Sequence, residues 1–174
     1  MLRRAPGFVL AILALSLGCS GYRVVHASDG LGPIKKVAVQ TLSNHSFEPG
    51  LELLVTEALR RELARRGGVV VVSDPGDADL VLSGAVLELQ TNARSFSSIA
   101  FALEYQIDMS LALQARRPDG SLIGLDPAAL RDWELYLTSA DVEAERRNRD
   151  EALRRLAAVL AGRVRDSLAD RLVQ

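Results

Sequence analysis

Ile99-Ala100-Phe101-Ala102-Leu103-Glu104-Tyr105-Gln106-Ile107-Asp108-Met109-Ser110-Leu111-Ala112-Leu113-Gln114-Ala115-Arg116 carries an apolar residue at every second position, with alanine or a polar residue between. Every odd position, from Ile99 to Ala115, is apolar or aromatic. Glu104, Gln106, Asp108, Ser110, Gln114 and Arg116 fall between them. A period of two puts successive side chains on opposite faces of an extended chain, so the stretch predicts a long strand with one buried and one wet face. A slip of one residue would invert every side chain, which fixes its register.

Downstream, Arg117-Pro118-Asp119-Gly120 predicts a turn, Ser121 to Leu125 a second strand, and Asp126-Pro127 an interruption. Trp133, Leu135 and Leu137 resume the alternation, and Trp133 is expected in the core. Ser139 or Asp141 can cap a final helix whose stripe is Leu153, Leu156, Ala157, Leu160, Val164, Leu168 and Leu172. Upstream, Leu80 to about Thr91 reads as a strand, and polar Asn92 to Ser98 as a loop or hairpin tip. Asp74-Pro75-Gly76-Asp77 is a turn, and the apolar run Val69 to Val72 is expected to be a buried strand. Before it, Leu51, Leu54, Val55, Ala58, Leu59 and Leu63 recur at helical spacing, and Gly67-Gly68 ends that helix. Lys36 to Leu42 is the first strand, followed by a polar turn at Ser43-Asn44-His45-Ser46. Strand, helix, strands and helix in that order give an α+β two-layer sandwich: a mixed, mostly antiparallel sheet with two helices packed on one face.

The N-terminus is of another kind. Arg3 and Arg4 precede an apolar run from Phe8 to Leu17, and Leu15-Ser16-Leu17-Gly18-Cys19 ends it with the only cysteine. This is the layout of a secretory signal with a thiol at the cleavage point. The run is too short to cross a bilayer as a helix, which takes about 20 residues. Residues 1–18 are therefore expected to be a lipoprotein signal, Cys19 the acylated residue, 19–34 a Gly- and Pro-containing linker, and 35–174 the folded domain. Ser20 rather than Asp after the cysteine favours the outer membrane, facing the periplasm.

Composition narrows the function. Of 174 residues 48% are hydrophobic and 25% charged, with a net charge of −1, so nothing points to nucleic acid as a partner. The two histidines, His26 and His45, lie in the linker and a turn, and no nucleophile or metal motif surrounds them. Asp74, Asp77 and Asp79 lack the spacing of a calcium loop. Glu104 and Asp108 share a strand face, where a solvated face is the simpler reading than an acid/base pair. No catalytic residue, metal or cofactor is expected. A lipid-anchored domain without a reactive cluster reads as a binding or assembly subunit.

Several local motifs, in their order, resemble those of the LptE lipopolysaccharide-assembly lipoprotein family. They are Gly21-Tyr22 after the cysteine, Val37 to Asn44, Glu48-Pro49-Gly50-Leu51-Glu52, Ala78-Asp79 before a strand with inner Gly84, Tyr105 to Leu111, and Asn148 to Leu153. Gln40-Thr41 departs from the pattern, where a proline is common. The resemblance implies an LptD-type outer-membrane β-barrel as partner, a seat inside that barrel, help in its assembly, and a part in delivering lipopolysaccharide to the outer leaflet. Lipopolysaccharide carries phosphates, which makes Arg94 a candidate contact against the simpler reading of a solvated arginine. A lipid-anchored periplasmic activator of a peptidoglycan-synthesis enzyme is the competing reading; the short linker argues for a partner in the membrane itself.

Overall fold

The long alternating stretch forms the spine of the sheet. The structure, a computed structural model, describes residues 30–65, 68–96, 98 and 102–172. In chain order the elements are β1 (Lys36–Val39), β2 (Ser43–Asn44), α1 (Leu51–Arg65), β3 (Val70–Val72), β4 (Leu80–Val86), β5 (Gln90–Phe96), β6 (Ala102–Arg116), β7 (Leu122–Ile123), β8 (Arg131–Leu137) and α2 (Val142–Leu172). Residues 99–101, the start of the quoted stretch, and residues 1–29, which hold the expected signal, Cys19 and most of the linker, lie outside the described residues.

β6 is 15 residues long and has neighbours on both sides. On one side its C-terminal half pairs with β4 and its N-terminal half with β5, both antiparallel. On the other side β7 and β8 divide it in the same way. Beyond β4 the sheet turns parallel, through β1 and then β3. Val37 of β1 lies beside Leu80 of β4, and Val81 opposes Arg116, so the chain enters the sheet at the C-terminal end of β6.

Both helices lie on one face. The α1 residues Leu51, Val55, Leu59 and Leu63 and the α2 residues Leu153, Leu156, Leu160, Val164 and Leu168 are buried with Val37, Val39, Leu80, Leu82, Ile107, Met109, Leu111 and Ala115 of the sheet. The α+β two-layer sandwich expected from the sequence is what forms. Asp141 caps α2, its Oδ1 accepting from the Glu143 and Ala144 amides at 2.9 and 3.4 Å.

Several boundaries differ from the pattern. β1 stops at Val39, and Ser43-Asn44 pairs with β4 as β2 instead of forming a turn. Between them the Leu42 amide donates to the buried Thr56 hydroxyl of α1 at 3.1 Å, so the side chain of a helix replaces a strand partner there. The run Leu80 to Thr91 is broken over Leu87–Leu89, although the Leu87 amide still reaches Ser110 at 2.9 Å. The Ser121 to Leu125 strand shrinks to Leu122–Ile123. Val70–Val72 is not a buried strand: among the described residues β3 pairs only with β1, and Val70 is 63% exposed. An apolar run identifies a strand without saying whether both its faces are covered.

Asp79 ties the start of β4 to the entry of the chain. Its Oδ2 accepts from the Lys35 and Lys36 amides, each at 2.8 Å. Those bonds, Lys35 first and Lys36 second, hold the carboxyl below its ordinary range. A carboxyl lowered in the folded state contributes stability above its unfolded pKa and loses it as pH falls through the folded value. Asp79→Asn is therefore expected to lower stability at pH 7 and to shrink the difference between pH 7 and pH 3. Urea melts of both proteins at the two pH values measure this; equal acid losses would refute the role.

Candidate functional site

Among the described residues no helix packs on the face of the sheet away from α1 and α2. Register decides which side chains it carries. Gln106 opposes Asn92 of β5 and Leu135 of β8, and Asp108 opposes Gln90 and Trp133. Glu104 opposes Leu137, so Trp133, Leu135 and Leu137 lie on this outer face. The alternate β8 residues turn towards α2: Glu134 pairs with Arg155 at 2.9 Å and Asp132 with Arg163 at 2.9 Å. Tyr136 is buried against Tyr105, with ring centroids 5.7 Å apart, and burial is the main cause that pushes its phenol up.

Trp133 is therefore not a core residue. It is 53% exposed, with Leu135 at 37% and Leu137 at 59%. The alternation in β8 was legible, but its direction was not. Asp132 and Glu134 point inward because α2 supplies arginines to meet them, and no local pattern announces partners 31 and 21 residues away.

Arg94 is not in a loop or hairpin tip. β5 runs through Phe96, with register shifts around Ser95, and Arg94 lies within it as an exposed residue. Its Nε donates to Gln106 Oε1 at 2.8 Å, and Gln106 Nε2 donates to Asp108 Oδ1 and Oδ2 at 2.8 and 3.0 Å. Gln106, which no sequence signal singled out, is only 8% exposed and links arginine to carboxylate. The network orients one edge of the guanidinium, and such pre-ordering lowers the entropy lost on gripping an anion. Glu104 accepts from the Ser95 hydroxyl at 3.1 Å and Asp108 from Gln106, so the two carboxylates have separate partners.

The remaining candidates have structural partners. Asp74 accepts from the Gly76 amide at 2.8 Å, as the cap of a short 3-10 turn. No group of three or more His, Cys, Asp or Glu side chains suited to a metal occurs among the described residues. No helix among them is long and apolar enough to cross a membrane. Cys19 lies outside the described residues.

Comparison with known proteins follows the same lines. The rare lipoprotein B of Shewanella oneidensis superposes with a TM-score of 0.50 at 20% identity, over 75% of this chain and 95% of that one. An uncharacterized lipoprotein B of Nitrosomonas europaea superposes with a TM-score of 0.56 at 12% identity, over 84% of this chain and 88% of that one. At such identities the likeness shows a shared fold. No curated protein matches the chain. A sequence model of the LptE lipopolysaccharide-assembly family matches residues 34–168, from the entry of the sheet to the last buried turn of α2. With most of its length accounted for in this way, the chain belongs to the LptE lipopolysaccharide-assembly family.

Proposed function

We propose that the protein is acylated at Cys19 after loss of residues 1–18 and is held at the outer membrane, facing the periplasm. Residues 19–34 act as its tether. The domain 35–174 seats in the lumen of an LptD-type β-barrel, aids its assembly and takes part in moving lipopolysaccharide to the outer leaflet. The observation that carries this reading is the family match over residues 34–168. The fold supports it physically. A sheet stiffened by helices on one face can occupy a wide barrel without collapsing, and a barrel lumen is polar, as are much of β5 and the outward residues of β6.

Within this reading Arg94 contacts the phosphates of lipopolysaccharide. The outer face carries Glu104 and Asp108 beside Arg94 and Arg131, so it has no strong positive field. Recognition there rests on directed hydrogen bonds from an oriented guanidinium. Arg94→Glu is expected to weaken lipopolysaccharide binding by roughly tenfold, the loss of about one charge-assisted contact. Binding measured on immobilised lipopolysaccharide tests it, and unchanged affinity removes Arg94 from the site.

Crosslinking in native outer membranes tests the partner. A photoreactive residue at position 92 on the outer face is expected to capture a large β-barrel. Capture of a peptidoglycan-synthesis enzyme instead would overturn the reading.

A further inference from the structure

β8 lays the sole tryptophan of the chain on the outer face of the sheet, with its side chain half-exposed. One step beyond the Leu137–Glu104 pair, the Thr138 amide donates to Leu103 O, which makes that couple a hydrogen-bonded pair of the ladder. Such pairs alternate, so Trp133 and Asp108 form a non-hydrogen-bonded pair, the kind with the closer side chains, Cβ atoms about 4.5–5.5 Å apart. The row continues across β6 to Gln90 of β5, and Ser110 is the next outward residue of β6. Leu135, also on the outer face, extends the apolar surface beside the indole.

The polar groups around the indole are held in place but not used up. Gln106 Nε2 spans both oxygens of Asp108 at 2.8 and 3.0 Å, and Gln106 is itself fixed by Arg94. An ionised carboxylate has about four acceptor positions, so about half of those on Asp108 stay open. The indole N–H, the Gln90 amide and the Ser110 hydroxyl have no hydrogen-bond partner among the described residues.

That set decides what fits. A purely apolar occupant would strip water from Asp108 and from three other polar groups without replacing it. A phosphate over this row would meet the Asp108 charge. A sugar ring supplies both things the row can use. Its hydroxyls donate to a carboxylate and accept from N–H groups, and its C–H face, slightly positive, lies well on the negative face of an indole. One flat apolar surface with a few fixed polar groups beside it is the usual make-up of a small-ligand site.

We infer that this row is a saccharide-binding platform: the C–H face of a neutral pyranose ring stacks on Trp133, and its hydroxyls bond to Asp108, Gln90 and Ser110. Two envelope glycans carry such rings, the sugar part of lipopolysaccharide and the strands of peptidoglycan. The inference depends on neither the barrel nor the Arg94 contact.

Trp133 reports on the platform directly, because no other tryptophan contributes to the emission. The mature lipoprotein is held in a detergent without a sugar headgroup. Two probes are titrated: deacylated, dephosphorylated lipopolysaccharide oligosaccharide, and N-acetylglucosamine tetrasaccharide. A saturable emission change with either, at roughly millimolar concentration or below, supports the platform, and the tighter binder names the source. By calorimetry Trp133→Phe, which keeps an aromatic face, should retain binding, whereas Trp133→Leu and Asp108→Asn should each weaken it roughly tenfold. No change with either probe overturns the inference, and so does equal binding by the Phe and Leu variants. Binding that requires the phosphates also overturns it, while leaving the Arg94 contact standing. Should a variant fail to fold, quenching of the wild-type emission by acrylamide decides. Saccharide that shields the indole supports the platform, and unaltered quenching refutes it.

Discussion

Gly84→Ala is expected to destabilise the fold by about 3–5 kcal/mol, more than an added methyl at any other described glycine. Gly84 sits inside β4 with φ +150, and a Cβ there would stand 1.9 Å from Ala112 O and 2.9 Å from its carbonyl carbon. The obstacle is backbone, not a side chain that can swing away. Ala112 and its neighbour Leu113 lie in the strand that organises the sheet, and Leu113 is the register partner of Gly84. The added methyl must either part β4 from β6 or force a conformation that L-residues seldom adopt. Gly120→Ala is the control, because Gly120 has φ +87 but nothing within 4 Å of an added Cβ. Its cost is the conformational one alone, about 1 kcal/mol. Thermal melts of the two variants should separate clearly, since each kcal/mol moves the midpoint by roughly 2–4 °C at this size. Similar melting points would mean that β4 is not held against β6 as described.

The second large effect is expected at Leu160→Ala, at about 3 kcal/mol. Leu160 is fully buried on the α2 stripe, among side chains of both helices and the inner face of the sheet. Truncation removes contacts and leaves a cavity whose rigid surroundings cannot close, and both losses add. Val159 is adjacent but exposed, so Val159→Ala should cost less than about 0.5 kcal/mol. Denaturant midpoints for the pair test whether the stripe read from the sequence is the face that holds the layers together.

The parts of the fold legible in the sequence are those where period and burial agree. The odd residues Ile107, Met109, Leu111 and Ala115 are buried as the alternation requires, and the α2 stripe from Leu153 to Leu168 lies against the sheet. Gly84 stood out as a glycine within a strand, a position that commonly marks close backbone approach. Other features were hidden because they depend on distant chain. Trp133 reads as core, yet Arg155 and Arg163 draw the alternate residues of β8 inward and leave it outside. Val70–Val72 is apolar throughout, yet lies at an edge. Gln106 looked like one polar residue among several, and only the register of three strands encloses it between Arg94 and Asp108. For the candidate site, the sequence supplied Arg94 as a residue but not its strand or its partner.

The direction of β6 carries a consequence for how far the protein can reach. Its 15 residues extend roughly 50 Å at the usual rise. The chain joins the sheet at the foot of this strand, while the last residues of β5 and the first of β6 lie at its head. A bilayer with its headgroups is about 40–45 Å thick. Standing upright in a transmembrane pore and fastened near one leaflet, the folded domain would already be tall enough to show its crown at the opposite surface.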